Sequence, residues 1–140
     1  MPIAYQHELT AEDYNALRKA VEWDEIESDQ AQEGLRNSAY MIAAADEGKM
    51  VGMARAISDG GYVVLISDVI VHPDYQGQGI AKTMIEDIMT YFTDRLKSGQ
   101  AILFNLMAAK GRESFYKQFG FSERPNDSVG AGMTQWIKKS

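Results

Sequence analysis

Between Tyr62 and Leu96 the chain carries residues suited to holding an anion. An apolar run, Tyr62-Val63-Val64-Leu65-Ile66, continues through Ser67-Asp68-Val69-Ile70-Val71 and turns at His72-Pro73-Asp74-Tyr75. Gln76-Gly77-Gln78-Gly79-Ile80-Ala81 follows, and then about four turns of amphipathic helical pattern. Strand, glycine-bearing turn and helix in that order let backbone N–H groups converge at the positive end of a helix dipole, where phosphate is stabilised. Glycines alone also suit a plain tight turn. Two familiar phosphate loops are excluded, because Gly-x-x-x-x-Gly-Lys-Ser/Thr is absent and Lys82 stands where the dinucleotide fingerprint needs a third Gly or Ala.

Composition narrows the chemistry further. The 140 residues contain no cysteine and two histidines, and the net charge is -6. Disulfides, thiolate zinc sites and a cysteine nucleophile are therefore excluded, and no metal site is expected. The acidic balance argues against general nucleic-acid binding and suits a cationic small substrate. No apolar run approaches the ~20 residues of a membrane span, so a cytoplasmic protein with no membrane partner is expected. Length without internal repeats predicts one domain over residues 1–140.

The elements that must position the turn are readable in order. Ile3-Ala4-Tyr5 suits a short edge strand, and Thr10 with Asp13 starts a helix from Ala11 to Val21, with Tyr14, Leu17 and Val21 at helical spacing. Glu22 to Asp29 is acidic and carries Trp23, and a short helix ending near Leu35 to Asn37 follows. Ala39–Ala45 and Met50–Ile57 flank the turn Asp46-Glu47-Gly48-Lys49 and read as a hairpin, with the 62–71 strand next in an antiparallel meander. A long helix from Gly77 to Lys97 buries Ala81, Ile85, Ile88, Phe92 and Leu96. Being a crossover, it makes Ala101–Leu106 a strand parallel to the central one. A last helix, Arg112 to Phe119, closes at Gly120, and strands are predicted at Phe121–Glu123 and Met133–Ile137. The fold class is α+β: a mixed, mainly antiparallel sheet of about six to seven strands with helices on both faces.

Gln76-x-x-Gly79-x-Ala81 after this strand resembles the acyl-CoA signature of the GNAT superfamily of N-acyltransferases. Phe115-Tyr116, three residues, then Gly120-Phe121 is similar to a second landmark of that superfamily, and the element order agrees along most of the chain. The superfamily's usual Asn-x-x-Ala before the last helix is not matched, since Ala109 and Arg112 occupy those places. The resemblance implies transfer of an acetyl group from acetyl-CoA to a primary amine by direct attack in a ternary complex. It implies a splayed pair of central strands that admits the pantetheine arm along Val69 and Val71, with Asn105 on the neighbouring strand. It places the pyrophosphate on Gln76, Gly77, Gln78, Gly79, Ile80 and Ala81, with Lys82 either reaching a phosphate or facing water.

Acyl transfer further needs an oxyanion donor, for which a backbone N–H near Val69 or Ile70 suffices. By the resemblance Tyr116 protonates the departing thiolate, the alternative being packing beside Phe115. An alkyl ammonium is neutral in only about one part in a thousand at pH 7.4, so its proton must go somewhere. Asp68 is the carboxylate on the central strand, and its two readings are proton acceptor for the amine or satisfied buried carboxylate. His72 reads as a turn residue and His7 as surface. Trp23, Asp24 and Glu25 lie where this fold walls its acceptor cleft, and they suit either a cationic amine or a solvated acidic loop anchored by the tryptophan. A small amine is the expected acceptor, with a protein amine as alternative. A CoA-binding sensory module without turnover is the rival class, and exposed sheet edges allow a homodimer.

Overall fold

A computed structural model describes residues 2–140, which divide into two compact units, one up to Leu106 and the other Met107–Ser140. The first contains β1 (Ala4–Gln6), α1 (Ala11–Ala20), α2 (Ser28–Arg36), β2 (Tyr40–Asp46), β3 (Lys49–Ile57), β4 (Val63–Val71), a 3-10 turn at Pro73–Tyr75, α3 (Ile80–Thr93) and β5 (Leu103–Leu106). Sheet order follows chain order, β1-β2-β3-β4-β5, antiparallel except for the β4–β5 pair. The parallel pair is the one bridged by α3, as a crossover requires.

Helices cover both faces of this sheet, and β3 shows how. Met53 packs with Tyr14 and Leu17 of α1 and Ala31 and Leu35 of α2. Its neighbour Gly52 points to the opposite face, where an added Cβ would lie 3.2 Å from Ile80 Cγ2 and 3.4 Å from Met84 Cε of α3. The missing side chain lets the first turn of α3 lie close on the sheet. Thr10 starts α1 by accepting from the Asp13 N–H at 3.1 Å, as its spacing predicts.

The second unit contains α4 (Glu113–Lys117). Tyr116 is buried there, edge-on to Phe115 at 5.0 Å and to Phe121 at 6.2 Å, and Lys117 pairs with Glu123 at 2.6 Å.

Five strands form among the described residues, not six to seven. Phe121–Glu123 and Met133–Ile137 are not strands. Pro125 follows the first within two residues and offers no N–H to a ladder. In the second, apolar Met133, Trp136 and Ile137 lack the alternation that buries one face, and all three are exposed. The long helix is also shorter than predicted: positive φ at Gly77 (79°) and Gly79 (83°) delays its start to Ile80. The last helix is likewise confined to Glu113–Lys117.

Candidate acyl-transfer site

The glycine turn after β4 is shaped by backbone and side-chain hydrogen bonds. The His72 N–H extends the ladder to Val51 O at 2.8 Å, and its ring Nδ1 accepts from the Asp74 N–H at 3.1 Å, so His72 shapes the turn. Tyr75 OH donates to Asp46 at 2.6 Å and ties the turn to β2. Gln76 Nε2 donates to Val71 O at 3.1 Å. Gly77 and Gly79 then take left-handed conformations with open space where a Cβ would stand. The first bond within α3 is Thr83 N–H to Gly79 O at 3.0 Å, which leaves the amides of Ile80, Ala81 and Lys82 outside the helical ladder. Such amides are donors for an anion. Ile80 is buried in the core, so its contribution to a ligand is its N–H, whereas Gln78 is exposed. Lys82 lies on the solvent face, paired with Glu86 at 2.9 Å.

Beside the turn, β4 is bulged and partly unpaired. Pairing with β5 runs from Val63↔Leu103 to Ile66↔Leu106 and stops, while β4 continues to Val71. Asn105 lies within the paired part, opposite Leu65. On the other side Arg55 pairs with Ser67 and Met53 with Ile70, so Asp68 and Val69 together face Ala54. This is a β-bulge, with Asp68 at φ 53°, a left-handed conformation that Asp tolerates better than most residues.

Asp68 is held by three side chains that the sequence reading did not single out. Its Oδ1 accepts from Arg18 Nη1 at 3.1 Å, and its Oδ2 accepts from Arg55 Nε at 2.7 Å and Tyr14 OH at 2.9 Å. Arg55 also donates to Gly34 O and Ser38 Oγ, each at 3.3 Å, and so reaches the end of α2. Arg18 Nε donates to Asp24 O at 2.7 Å, and its guanidinium lies 5.4 Å from the Trp23 ring centroid. A signal was present: Arg18 falls on the buried face that Ala11, Tyr14 and Leu17 form on α1, and Arg55 interrupts the buried run Met53-Ala54-Arg55-Ala56. A charge on such a face requires a partner.

On the loop after α1, Trp23 therefore already carries an internal cation on one face. Asn15 fastens the same loop, donating to Ile26 O and accepting from the Ile26 N–H, both at 2.8 Å. Asp24 and Glu25 are exposed, and Glu27 caps α2 by accepting from the Asp29 and Gln30 N–H groups, which holds its carboxyl below the usual range. His7 is exposed, with Nδ1 2.9 Å from Met41 O. Within the C-terminal unit, burial raises the Tyr116 phenol pKa, opposed by the charge of Arg112.

Comparison with known proteins agrees with this geometry. Residues 8–136 match the acetyltransferase (GNAT) domain family. The chain belongs to the GNAT family. Its acetyltransferases use acetyl-CoA as co-substrate. The chain is 35% identical over 100 residues to an uncharacterized N-acetyltransferase, ycf52, of Pyropia yezoensis, covering 69% of this chain and 55% of that protein. It is 32% identical over 130 residues to the histone acetyltransferase TAP1 of Glycine max, covering 84% of this chain and 54% of that one. It thus spans about half the length of the curated relatives it matches. Among solved structures, the probable acetyltransferase SA2161 of Staphylococcus aureus superposes with a TM-score of 0.84 at 30% identity, over 96% of this chain and 100% of that one. No helix among the described residues is long and apolar enough to cross a membrane.

Proposed function

We propose that this GNAT chain is an N-acetyltransferase that moves an acetyl group from acetyl-CoA to a primary amine by direct attack, and that residues 1–140 work as one catalytic domain. The observation that carries the reading is the half of β4 from Ser67 to Val71, paired with β3 but beyond the end of its pairing with β5, running into a glycine turn that leaves the first amides of α3 outside the helical ladder. The pyrophosphate is assigned to the amides of the Gln76–Ala81 turn and the first turn of α3, with Lys82 free to exchange Glu86 for a phosphate. The amide-bearing pantetheine arm is assigned to the backbone of Val69 and Val71 as an added strand, beside Asn105.

In this reading the amine nitrogen forms its bond to the acetyl carbon while the oxyanion is held by the Val69 or Ile70 N–H, a kind of donor typically worth about 3 kcal/mol. The carbon–sulfur bond breaks, the thiolate takes the proton of Tyr116, the nitrogen releases its own to water, and Tyr116 is reprotonated from solvent. A phenol kept above its usual pKa by burial retains its proton throughout the neutral range. Asp68 is assigned to positioning, because both its oxygens are already engaged by cations, and direct proton transfer to it is the competing assignment. The acidic wall with Trp23, Asp24 and Glu25 is assigned to guiding a small cationic amine. The soybean relative's name favours a second acceptor class, a lysine on a protein. Association of two chains through an exposed sheet edge belongs to the same reading, and sedimentation reads it directly.

The test is thiol release from acetyl-CoA at pH 8 with spermidine, amino acids, kanamycin and lysine-bearing peptides as acceptors. Stimulation by one class is expected. Silence across the panel, with acetyl-CoA still binding in a calorimeter, would replace the enzyme with a sensory module.

A further inference from the structure

The glycine turn between β4 and α3 is held at both ends by contacts that the proposed mechanism leaves unused. At its far end Ile80 is buried and seats on Gly52 of β3, where an added Cβ would come within 3.2 Å of Ile80 Cγ2. At its near end stands Tyr75, half-buried and directly before Gln76. Its OH donates to Asp46 Oδ2 at 2.6 Å, and Asp46 is the last residue of β2, 29 positions back in the chain. The Lys49 ammonium, at the start of β3, lies 5.9 Å from the Tyr75 ring centroid, and the His72 ring meets the same ring edge-on at 6.0 Å. The β2–β3 hairpin thus meets the tyrosine at its phenol and at its ring. The hydrogen bond to Asp46 raises the phenol above its ordinary pKa, so it stays a donor through the neutral range.

Between these anchors Gln76, Gly77, Gln78 and Gly79 are exposed, and both glycines have open space where a Cβ would stand. Glycine has the widest backbone freedom of any residue, so ordering a turn that contains two of them is costly unless its ends are fixed. Amides converge on an anion only in a particular conformation of the turn, and any ordering left until binding is subtracted from affinity.

We propose that the Tyr75–Asp46 hydrogen bond is a positioning strut for acetyl-CoA, through which the β2–β3 hairpin preorganises the Gln76–Ala81 turn for the pyrophosphate. This rests on the pyrophosphate assignment made above. Tyr75 acts through the backbone that follows it, not by touching the cofactor. The hairpin turn from Asp46 to Lys49 thereby contributes to cofactor affinity, although none of its side chains is assigned to the cofactor.

Calorimetry on the full chain tests the strut, with acetyl-CoA as ligand and two of its fragments as competitors: ADP, which carries the pyrophosphate, and pantetheine, which carries only the arm. Tyr75→Phe removes the donor and keeps the ring. It should weaken acetyl-CoA and ADP alike by about tenfold, the loss expected for one hydrogen bond to a charged group. Pantetheine should compete as before, which a general loosening of the fold would not allow. Asp46→Ala should weaken acetyl-CoA by the same factor, and adding Tyr75→Phe to it should do nothing more. Asp46→Asn keeps an acceptor for the phenol and should restore most of the affinity. If Tyr75→Phe does not fold, Asp46→Ala breaks the same bond from β2 and carries the test.

Unchanged acetyl-CoA affinity in a folded Tyr75→Phe, where Gly79→Val has lost it, would overturn the strut and leave the pyrophosphate assignment standing. Additive losses in the double variant would overturn it too, because the two side chains would then act separately. So would equal weakening of pantetheine, which would make Tyr75 a general brace of the fold. Retained acetyl-CoA affinity in Gly79→Val is a different result: it takes the pyrophosphate away from the turn, and the role of the strut with it.

Discussion

The two ends of the site on β4 are made of different material. At the α3 end, the anion turn uses backbone N–H groups released by two left-handed glycines. At the bulge, three charged side chains and a tyrosine from α1, β3 and β4 meet in a group largely withdrawn from water. The first depends on the left-handed backbone that Gly77 and Gly79 supply. The second depends above all on Asp68, because removing that carboxylate leaves two buried cations uncompensated. In the proposed assignment the difference separates what holds acetyl-CoA from what shapes the reacting centre: one is dictated by backbone conformation, the other by electrostatics.

The contrast can be broken most severely at Asp68. Asp68→Ala strands Arg18 and Arg55 without their carboxylate and should cost about 3–5 kcal/mol of stability, read from urea unfolding. A loss below about 1 kcal/mol would show that water already compensates the group. Gly79→Val comes next. Its φ of 83° is strained for any β-branched residue, so acetyl-CoA affinity should fall at least about 100-fold in calorimetry while the Asp68 cluster persists. Retained affinity would make the turn purely structural.

Tyr116→Phe sharpens the division in kinetics. Turnover should fall on the order of 100-fold with acetyl-CoA affinity nearly unchanged, since the phenol is asked only to give a proton. Because burial holds its pKa above the usual 10, loss of wild-type activity through phenol ionisation belongs above about pH 10, and none is expected from this group below it. Gly52→Ala sets a new Cβ 3.2 Å from Ile80 Cγ2 and from Ile70 O, and should weaken acetyl-CoA binding several-fold by shifting the start of α3. Thr10→Ala, which removes only the side-chain cap of α1, should cost about 1 kcal/mol in urea unfolding, which calibrates the others.

Much of this was written in local sequence. Hydrophobic periodicity located α1, α2, β2 to β5 and the crossover, because each element shorter than about twenty residues buries one face at its own period. The glycine turn was legible for a related reason: left-handed conformations and close backbone approach demand particular residues at particular positions. The ends of the chain were less so. Met133 to Ile137 has strand-forming residues without strand alternation, and composition alone suggested a strand that the structure does not contain.

The partners of Asp68 could not be assigned from spacing. Tyr14 and Arg18 lie 54 and 50 residues from Asp68 in the chain and Arg55 lies 13 from it, and the four are joined only where α1 packs on β3 and β4. The sequence reading passed over Arg18 and Arg55, although each is a charge on a face that is otherwise buried. Which carboxylate meets them, and that it does so at a bulge with φ 53°, follows from the packing of one helix on two strands. Local propensity determines elements and turns because its causes lie within a few residues, whereas a buried charge cluster is decided by desolvation, which exists only after the chain has closed around it.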